Sequence, residues 1–165
     1  MARVPDAPAE LPVNIFRALG HAPEVNRGYM SLGGRLLSKG LLDARTRELV
    51  INAISVHLDA PYEWGHHAKP YLDAGGSPDD LEALKSGRLD ALDDRGRAAV
   101  AYALKVEDRT VSDADVEGLR VAGFADGEIV ELTVLAGFYG MTARFLRAMD
   151  VQFDDGLIRD FAIPG

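Results

Sequence analysis

The sequence contains no cysteine. That single absence excludes disulfides, thiolate metal sites, thiol nucleophiles and dithiol redox cycles together. Basic residues are outnumbered: 18 Lys and Arg stand against 26 Asp and Glu, for a formal charge of −8. So acidic a surface repels phosphate backbones, and no nucleic-acid partner is expected. Charged residues interrupt the apolar stretches well short of the ~20 residues that a membrane span needs, so no membrane partner is expected either. The opening Met1-Ala2-Arg3-Val4-Pro5-Asp6-Ala7-Pro8 carries no apolar leader core, and a cytoplasmic location is the expectation. Strand signals are sparse as well, because no Asn-Gly or Asp-Gly sits between two alternating apolar runs.

What the chain has is helix. Its 165 residues are 47% hydrophobic, enough for one compact domain with a core of its own. Leu11-Pro12 opens a short helix through Ile15, Phe16 and Leu19 that closes at Gly20. Ala22-Pro23-Glu24 starts a second, with Val25, Tyr29, Leu32, Leu36 and Leu37 at helical spacing and a stop at Gly40. Asp43 caps a third, Ala44 to about Leu58, whose apolar face holds Leu49, Val50, Ala53, Ile54 and His57 or Leu58. Pro61 opens a fourth, Tyr62 to about Ala74, ended by Gly75-Gly76, and Pro70 should kink or shorten it.

Ser77-Pro78-Asp79-Asp80 caps a short fifth helix, Leu81 to Lys85. Asp93–Val106 and Ser112–Val121 follow, and Asp126 to about Met149 is long and mostly apolar. Val151–Gly165 has no period and is expected as an extended arm. Eight helical segments and no sheet predict an all-α domain spanning 1–165, with its core at about 11–150. The long helix is too apolar all round for one small monomer to cover, which predicts a homo-oligomer. Glu48-Leu49-Val50 and Glu131-Leu132-Thr133 form a faint echo, a weak sign of a repeated hairpin.

Chemistry concentrates in Tyr62-Glu63-Trp64-Gly65-His66-His67, which holds the one tryptophan and two of the four histidines. On a helix Glu63 and His67 stand at i and i+4, share a face and can hydrogen-bond. A carboxylate on an imidazole fixes the ring tautomer, as a proton shuttle requires. The same pair also suits a solvated ion pair on a helix surface. A metal reading would enlist Glu63, His67 and His57, yet the two-histidine i, i+4 pattern of zinc hydrolases is absent, and no metal or cofactor is expected.

Asp43-Ala44-Arg45-Thr46-Arg47-Glu48-Leu49-Val50-Ile51, followed by Tyr62-Glu63-Trp64-Gly65-His66-His67, resembles the carboxymuconolactone decarboxylase family, whose superfamily includes the alkylhydroperoxidase D-like proteins. Leu11-Pro12-Val13-Asn14-Ile15-Phe16-Arg17-Ala18-Leu19 and Ala136-Gly137-Phe138-Tyr139-Gly140-Met141 agree with it, so the resemblance covers about residues 11–150. It implies an all-helical fold that assembles as trimers or hexamers, with active sites near subunit contacts. In the peroxidase branch a Cys-x-x-Cys precedes the site histidine, and a Glu lies about one helix earlier. His67 matches that histidine and Glu48, 19 positions before it, that Glu, but the cysteine positions fall on Ala60 and Glu63. Thiol peroxidase activity is therefore not inherited. In the decarboxylase branch an acid four before the histidine is expected, and Glu63 supplies it. A histidine expected just before the tyrosine of the long helix is Phe138 here, with Tyr139 retained.

The resemblance thus implies a buried Glu48–Glu63–His67 cluster performing cofactor-free proton transfer or decarboxylation on a small lactone, keto or unsaturated acid. His67 would exchange the proton, Glu63 orient or share it, and Glu48 hold the pair. Substrate-binding candidates are Arg45 and Arg47, as a carboxylate clamp or as surface ion pairs, Tyr62 as a hydrogen-bond donor, and Trp64 and Tyr139 as pocket wall or core. His57 reads as a core or interface histidine. The alternative is a catalytically silent oligomer of the same fold that binds a small molecule or a partner protein.

Overall fold

The computed structural model describes residues 2–4 and 11–165. Most of the N-terminal stretch read for a leader, Met1 and Pro5 to Pro8, lies outside the described residues. The elements are α1 (Asn14–Leu19), α2 (Pro23–Ser38), α3 (Ala44–His57), α4 (Pro61–Asp73), α5 (Pro78–Ser86), a 3₁₀ turn at Leu89–Ala91, α6 (Asp94–Asp108), α7 (Asp113–Val121) and α8 (Asp126–Met149). No strand occurs among the described residues, and the fold is all-α.

The helix starts follow from local chemistry. Asp43 accepts from the Thr46 amide at 2.9 Å and Asp93 from that of Gly96 at 2.7 Å. Asp115 and Glu128 reach back to the amides of Ser112 and Ala125, each at 2.8 Å. Pro23, Pro61 and Pro78 each stand in a first turn, where the missing N–H costs nothing. Pro70 does not end α4: the helix runs three residues past it to Asp73.

α3 is the centre of the molecule. Leu49, Val50, Ile51, Ala53 and Ile54 are buried, and α4, α6 and α8 pack around them. The long α8 lays Leu132, Leu135, Ala136 and Thr142 into the core. It meets α6 at Gly140, where the Glu107 carboxylate occupies the space a Cβ would take and pairs with Arg144 at 2.8 Å. By length and apolarity α8 would suffice to cross a membrane, but 56% of its most apolar stretch is buried inside the protein. Val130, Val134 and Met141 remain exposed on its outer side.

The tail is an arm bound to α4. The Trp64 indole N–H donates to the Ala162 carbonyl at 2.8 Å, and Phe161 sits edge-on to the indole. Leu157 and Ile158 press so closely on Gly65 that no side chain fits there. The two Glu-Leu helix openings serve unlike ends. Glu48 is buried between α3 and α4, whereas Glu131 accepts from the amides of Leu41 and Leu42 at 2.6 and 3.0 Å and caps the α2–α3 connection.

Candidate functional site

α3 and α4 are stitched together at the point where their polar residues meet. Asn52 donates from Nδ2 to the carbonyls of Glu48, at 2.8 Å, and His67, at 3.0 Å. That link sets the heights of the two helices. Glu48 then faces His67 across the seam, with its Oε2 2.7 Å from Nδ1 of the ring. Its other oxygen, Oε1, accepts from Arg47 Nε at 3.1 Å.

Burial alone would push the Glu48 carboxyl up, but the contacts with His67 and Arg47 outweigh it and hold the group below the ordinary carboxylate range. An ionised carboxylate only accepts hydrogen bonds, so Nδ1 carries the proton of this contact. Nε2 is left for the other side. There Glu63 Oε2 lies at 3.7 Å, beyond direct hydrogen-bond length. Glu63 is only 5% exposed. Burial pushes its carboxyl up to about 7, against the opposing pull of His67. Two carboxyls beside one imidazole thus have unlike affinities for protons.

These groups form the polar end of a cavity of about 590 Å³. Tyr139 stands edge-on to His67 with ring centroids 5.0 Å apart. Burial first, then the nearby Glu63 and Glu48, drives its phenol well above the ordinary range, so the group stays protonated. The other end is apolar, built from Val13, Ile15 and Phe16 around α1, Met30 and Leu37 of α2, and Phe138 of α8. Phe138 stands where the resemblance implied a histidine, and it packs on Tyr29 at 4.7 Å.

Glu48, Glu63 and His67 are therefore brought together, and Arg47, Tyr62 and Tyr139 line the same cavity. Arg45 does not. It spans from Asp93, at 2.6 Å, to Asp80, at 3.3 Å, and ties α3 to α5 and to the cap of α6. Trp64 is fully buried against the arm, away from the cavity. Tyr62 lines the cavity, but its hydroxyl proton is spent on Asp154 at 2.6 Å, so it is not the free donor expected. His57 is neither core nor beside His67: it lies toward solvent, bonded to Asp108 at 2.9 Å.

The sequence reading missed three contributors. His66 lines the cavity and donates from Nε2 to Asp154 at 2.9 Å. Asp154, on the arm, also accepts from the Asn14 amide at 2.8 Å and so links α1, α4 and the tail. Tyr29, read as one of the apolar positions of α2, turns its ring to the cavity. His66 and Asp154 had no spacing signal, since the Asp154 contacts cross 88 or more positions of chain, and the spacing of Tyr29 marked it only as an apolar position.

Among solved structures, the chain is similar to a peroxidase-related protein with an alkylhydroperoxidase AhpD core from Ralstonia eutropha JMP134. That likeness has a TM-score of 0.81 at 23% identity and covers 93% of each chain. A peroxidase-related protein from Silicibacter sp. TM1040 gives 0.80 at 24% identity, over 91% of this chain and 81% of that one. The debrominase Bmp8, solved as a variant in complex with 2,3,4-tribromopyrrole, gives 0.73 at 16% identity, over 87% of this chain and 78% of that one. These likenesses establish the fold. No curated protein matches the chain. The model of the carboxymuconolactone decarboxylase family matches residues 23–105, half of the chain, from α2 into α6 and across both Glu48 and His67. The chain belongs to the carboxymuconolactone decarboxylase family.

Proposed function

We propose that the protein is a cofactor-free acid–base enzyme that moves a proton on, or decarboxylates, a small lactone, keto acid or unsaturated acid. One observation carries the reading: His67 is held at Nδ1 by an ionised Glu48 and turns Nε2 toward Glu63, whose carboxyl titrates near neutrality. A base poised near the working pH is what general acid–base catalysis needs.

In proton transfer, His67 Nε2 takes a proton from the carbon beside the substrate carbonyl. The C–H electron pair becomes the enolate double bond, and the carbonyl π pair moves onto oxygen. Tyr139 is the donor at hand for that oxygen. Glu63 exchanges the proton with Nε2, and it returns to the same or a conjugated carbon. In decarboxylation the C–C pair of the departing CO₂ follows the same route into the carbonyl, and the carbon then takes its proton from the Glu63–His67 pair. Glu48 stays ionised throughout and offsets the positive charge on the imidazole. Substrate supplies the electron sink in both cases.

The complex of a structural neighbour with 2,3,4-tribromopyrrole supports a small ring compound as the ligand class. The exposed Val130 and Val134 of α8, beside Leu41, support assembly as a homo-oligomer. The test is a screen for deuterium incorporation and CO₂ release over small lactones and keto or unsaturated acids in D₂O. Turnover lost in both His67→Ala and Glu63→Gln is the expected result. Turnover indifferent to both changes, or absent throughout, overturns the mechanism and leaves a binding protein of the same fold.

A further inference from the structure

The cavity has two unlike ends, and at the polar end one side chain has hydrogen-bonding capacity to spare. Arg47 lines the cavity with its side chain 13% exposed, and its Nε is taken by Glu48. Its two terminal nitrogens have no hydrogen-bond or ion-pair partner among the described residues. A guanidinium pinned at Nε keeps a second edge, the Nη1–Nη2 pair, whose parallel N–H groups match the two oxygens of a carboxylate.

Of the cavity's other side-chain hydroxyls and its second histidine, all but Tyr139 are engaged. Tyr62 and His66 both donate to Asp154. Thr142 donates to the Phe138 carbonyl, so the Tyr29 hydroxyl donates to Thr142 at 3.0 Å. Tyr139 alone of the cavity's tyrosines keeps a hydroxyl without a hydrogen-bond partner among the described residues, and a single neutral donor does not anchor an anion. The two nearby carboxyls do not forbid an acid. Glu48 is ion-paired with Arg47 and hydrogen-bonded by His67, and Glu63 holds its proton up to about neutral pH.

The far end sets the shape of the ligand. Gly33 and Gly34 stand side by side on α2 and line the cavity, but for different reasons. A Cβ on Gly33 would come within 3.0 Å of the Phe138 ring, so that glycine admits the aromatic wall. A Cβ on Gly34 would meet nothing within 4 Å, so that glycine leaves open space. Phe16, Tyr29, Met30 and Phe138 line the same cavity with apolar and aromatic surface, and Met30 and Gly34 stand at its solvent-exposed side.

We infer that the cavity binds a monocarboxylate with a ring-sized apolar body, its carboxylate on the Nη1–Nη2 edge of Arg47 and its body over Gly34 against Phe138. Arg47 is thus the anchor, and Gly34 determines the size of substrate admitted. The inference rests on the reading of this cavity as the substrate site, and it separates from the proton chemistry because it concerns binding alone.

The experiment is calorimetric titration of the purified protein with trans-cinnamate, cinnamamide and crotonate. The amide has the shape of cinnamate without its charge, and crotonate has the charge without the ring. Cinnamate is expected to bind at least about tenfold more tightly than either. Arg47→Gln should bring cinnamate down to the level of cinnamamide, and Gly34→Leu should weaken cinnamate while leaving crotonate unchanged. Cinnamamide binding as tightly as cinnamate overturns the Arg47 anchor, and so does cinnamate indifferent to Arg47→Gln. Crotonate equal to cinnamate, or cinnamate indifferent to Gly34→Leu, overturns the apolar body. If none of the three binds, both the inference and the substrate-site reading fail. Cinnamate bound as expected by a protein that exchanges no protons sinks only the mechanism.

Discussion

His67 Nδ1 lies 2.7 Å from Glu48 Oε2, between side chains that are 12% and 5% exposed. The contact joins α4 to α3, and it determines which ring nitrogen faces the cavity. In the proposed mechanism Glu48 touches the imidazole and not the reacting atoms, so its part there is positioning. Glu48→Gln keeps an acceptor in place and removes the charge. The exchange rate in D₂O is expected to fall by about 10²-fold, within the usual span for a disturbed acid–base group. A shift in the pH–rate profile should accompany the fall, which loss of packing alone would not produce. An unmoved profile would mean that the charge of Glu48 has no part in the chemistry.

Glu63 opposes stability when it ionises. Its carboxyl is held at about 7 in the folded protein against an ordinary 4.5. A folded-state value above the unfolded one means that the native state holds the proton more tightly. The stabilisation is therefore full below pH 4.5, is lost as pH rises toward 7, and is gone above that. The shift corresponds to about 3 kcal/mol. Glu63→Gln cannot ionise, so it should be the more stable protein at pH 8, with the gap closing toward pH 4.5. Urea melts at a series of pH values measure this, and a gap that widens on acidification would contradict it.

Much of the fold was legible because its boundaries are chemical and local. Asp43, Asp93 and Ser112 mark helix starts, and Pro23, Pro61 and Pro78 fall in first turns, as their side chains and missing N–H groups require. The Glu63–His67 face followed from i, i+4 spacing. Glu48 did not, because its contact with His67 is tertiary; only the family resemblance placed it. The division between Arg45 and Arg47 is legible in their spacing. Residues two apart on a helix point to opposite sides, so both could not clamp one carboxylate. Trp64, one position after Glu63, is turned about 100° from it and meets the arm instead. The role of Asp154 had no local trace, since its three partners lie on α1 and α4 and the tail itself lacks periodicity.

Asp154 is the latch of that tail. Burial pushes its carboxyl up, but the hydrogen bonds from Tyr62, the Asn14 amide and His66 outweigh it, and the group sits below its ordinary range. Asp154→Ala leaves three donors without their acceptor at once. It is expected to cost about 2–4 kcal/mol and to loosen α1 and the arm together. Denaturant melts give the first quantity. Faster hydrogen exchange confined to residues 14–19 and 151–165 gives the second, and uniform exchange across the molecule would argue against a latch. Since the folded carboxyl is depressed, its contribution is present above the ordinary carboxylate range and is lost as pH falls through the depressed value.

The outer side of α8 is apolar and uncovered. Val130 is 65% exposed and Val134 42%, one turn apart, and Leu41, 65% exposed, adjoins them in a shallow groove between α2 and α8. A helix this apolar on both sides leaves its outer stripe in water unless another surface covers it. With a formal charge of −8, like copies repel over most of their surface, so an apolar stripe is the place where contact costs least. The proposed homo-oligomer should therefore depend on this stripe. Val134→Asp sets a charge at its centre without touching the core, and it is expected to weaken association at least about 100-fold, as loss of a central apolar contact does. Sedimentation equilibrium of the two proteins at micromolar concentration decides the matter. A wild-type protein that sediments as a monomer removes the oligomer altogether, and an oligomer untouched by Val134→Asp moves the contact to another face.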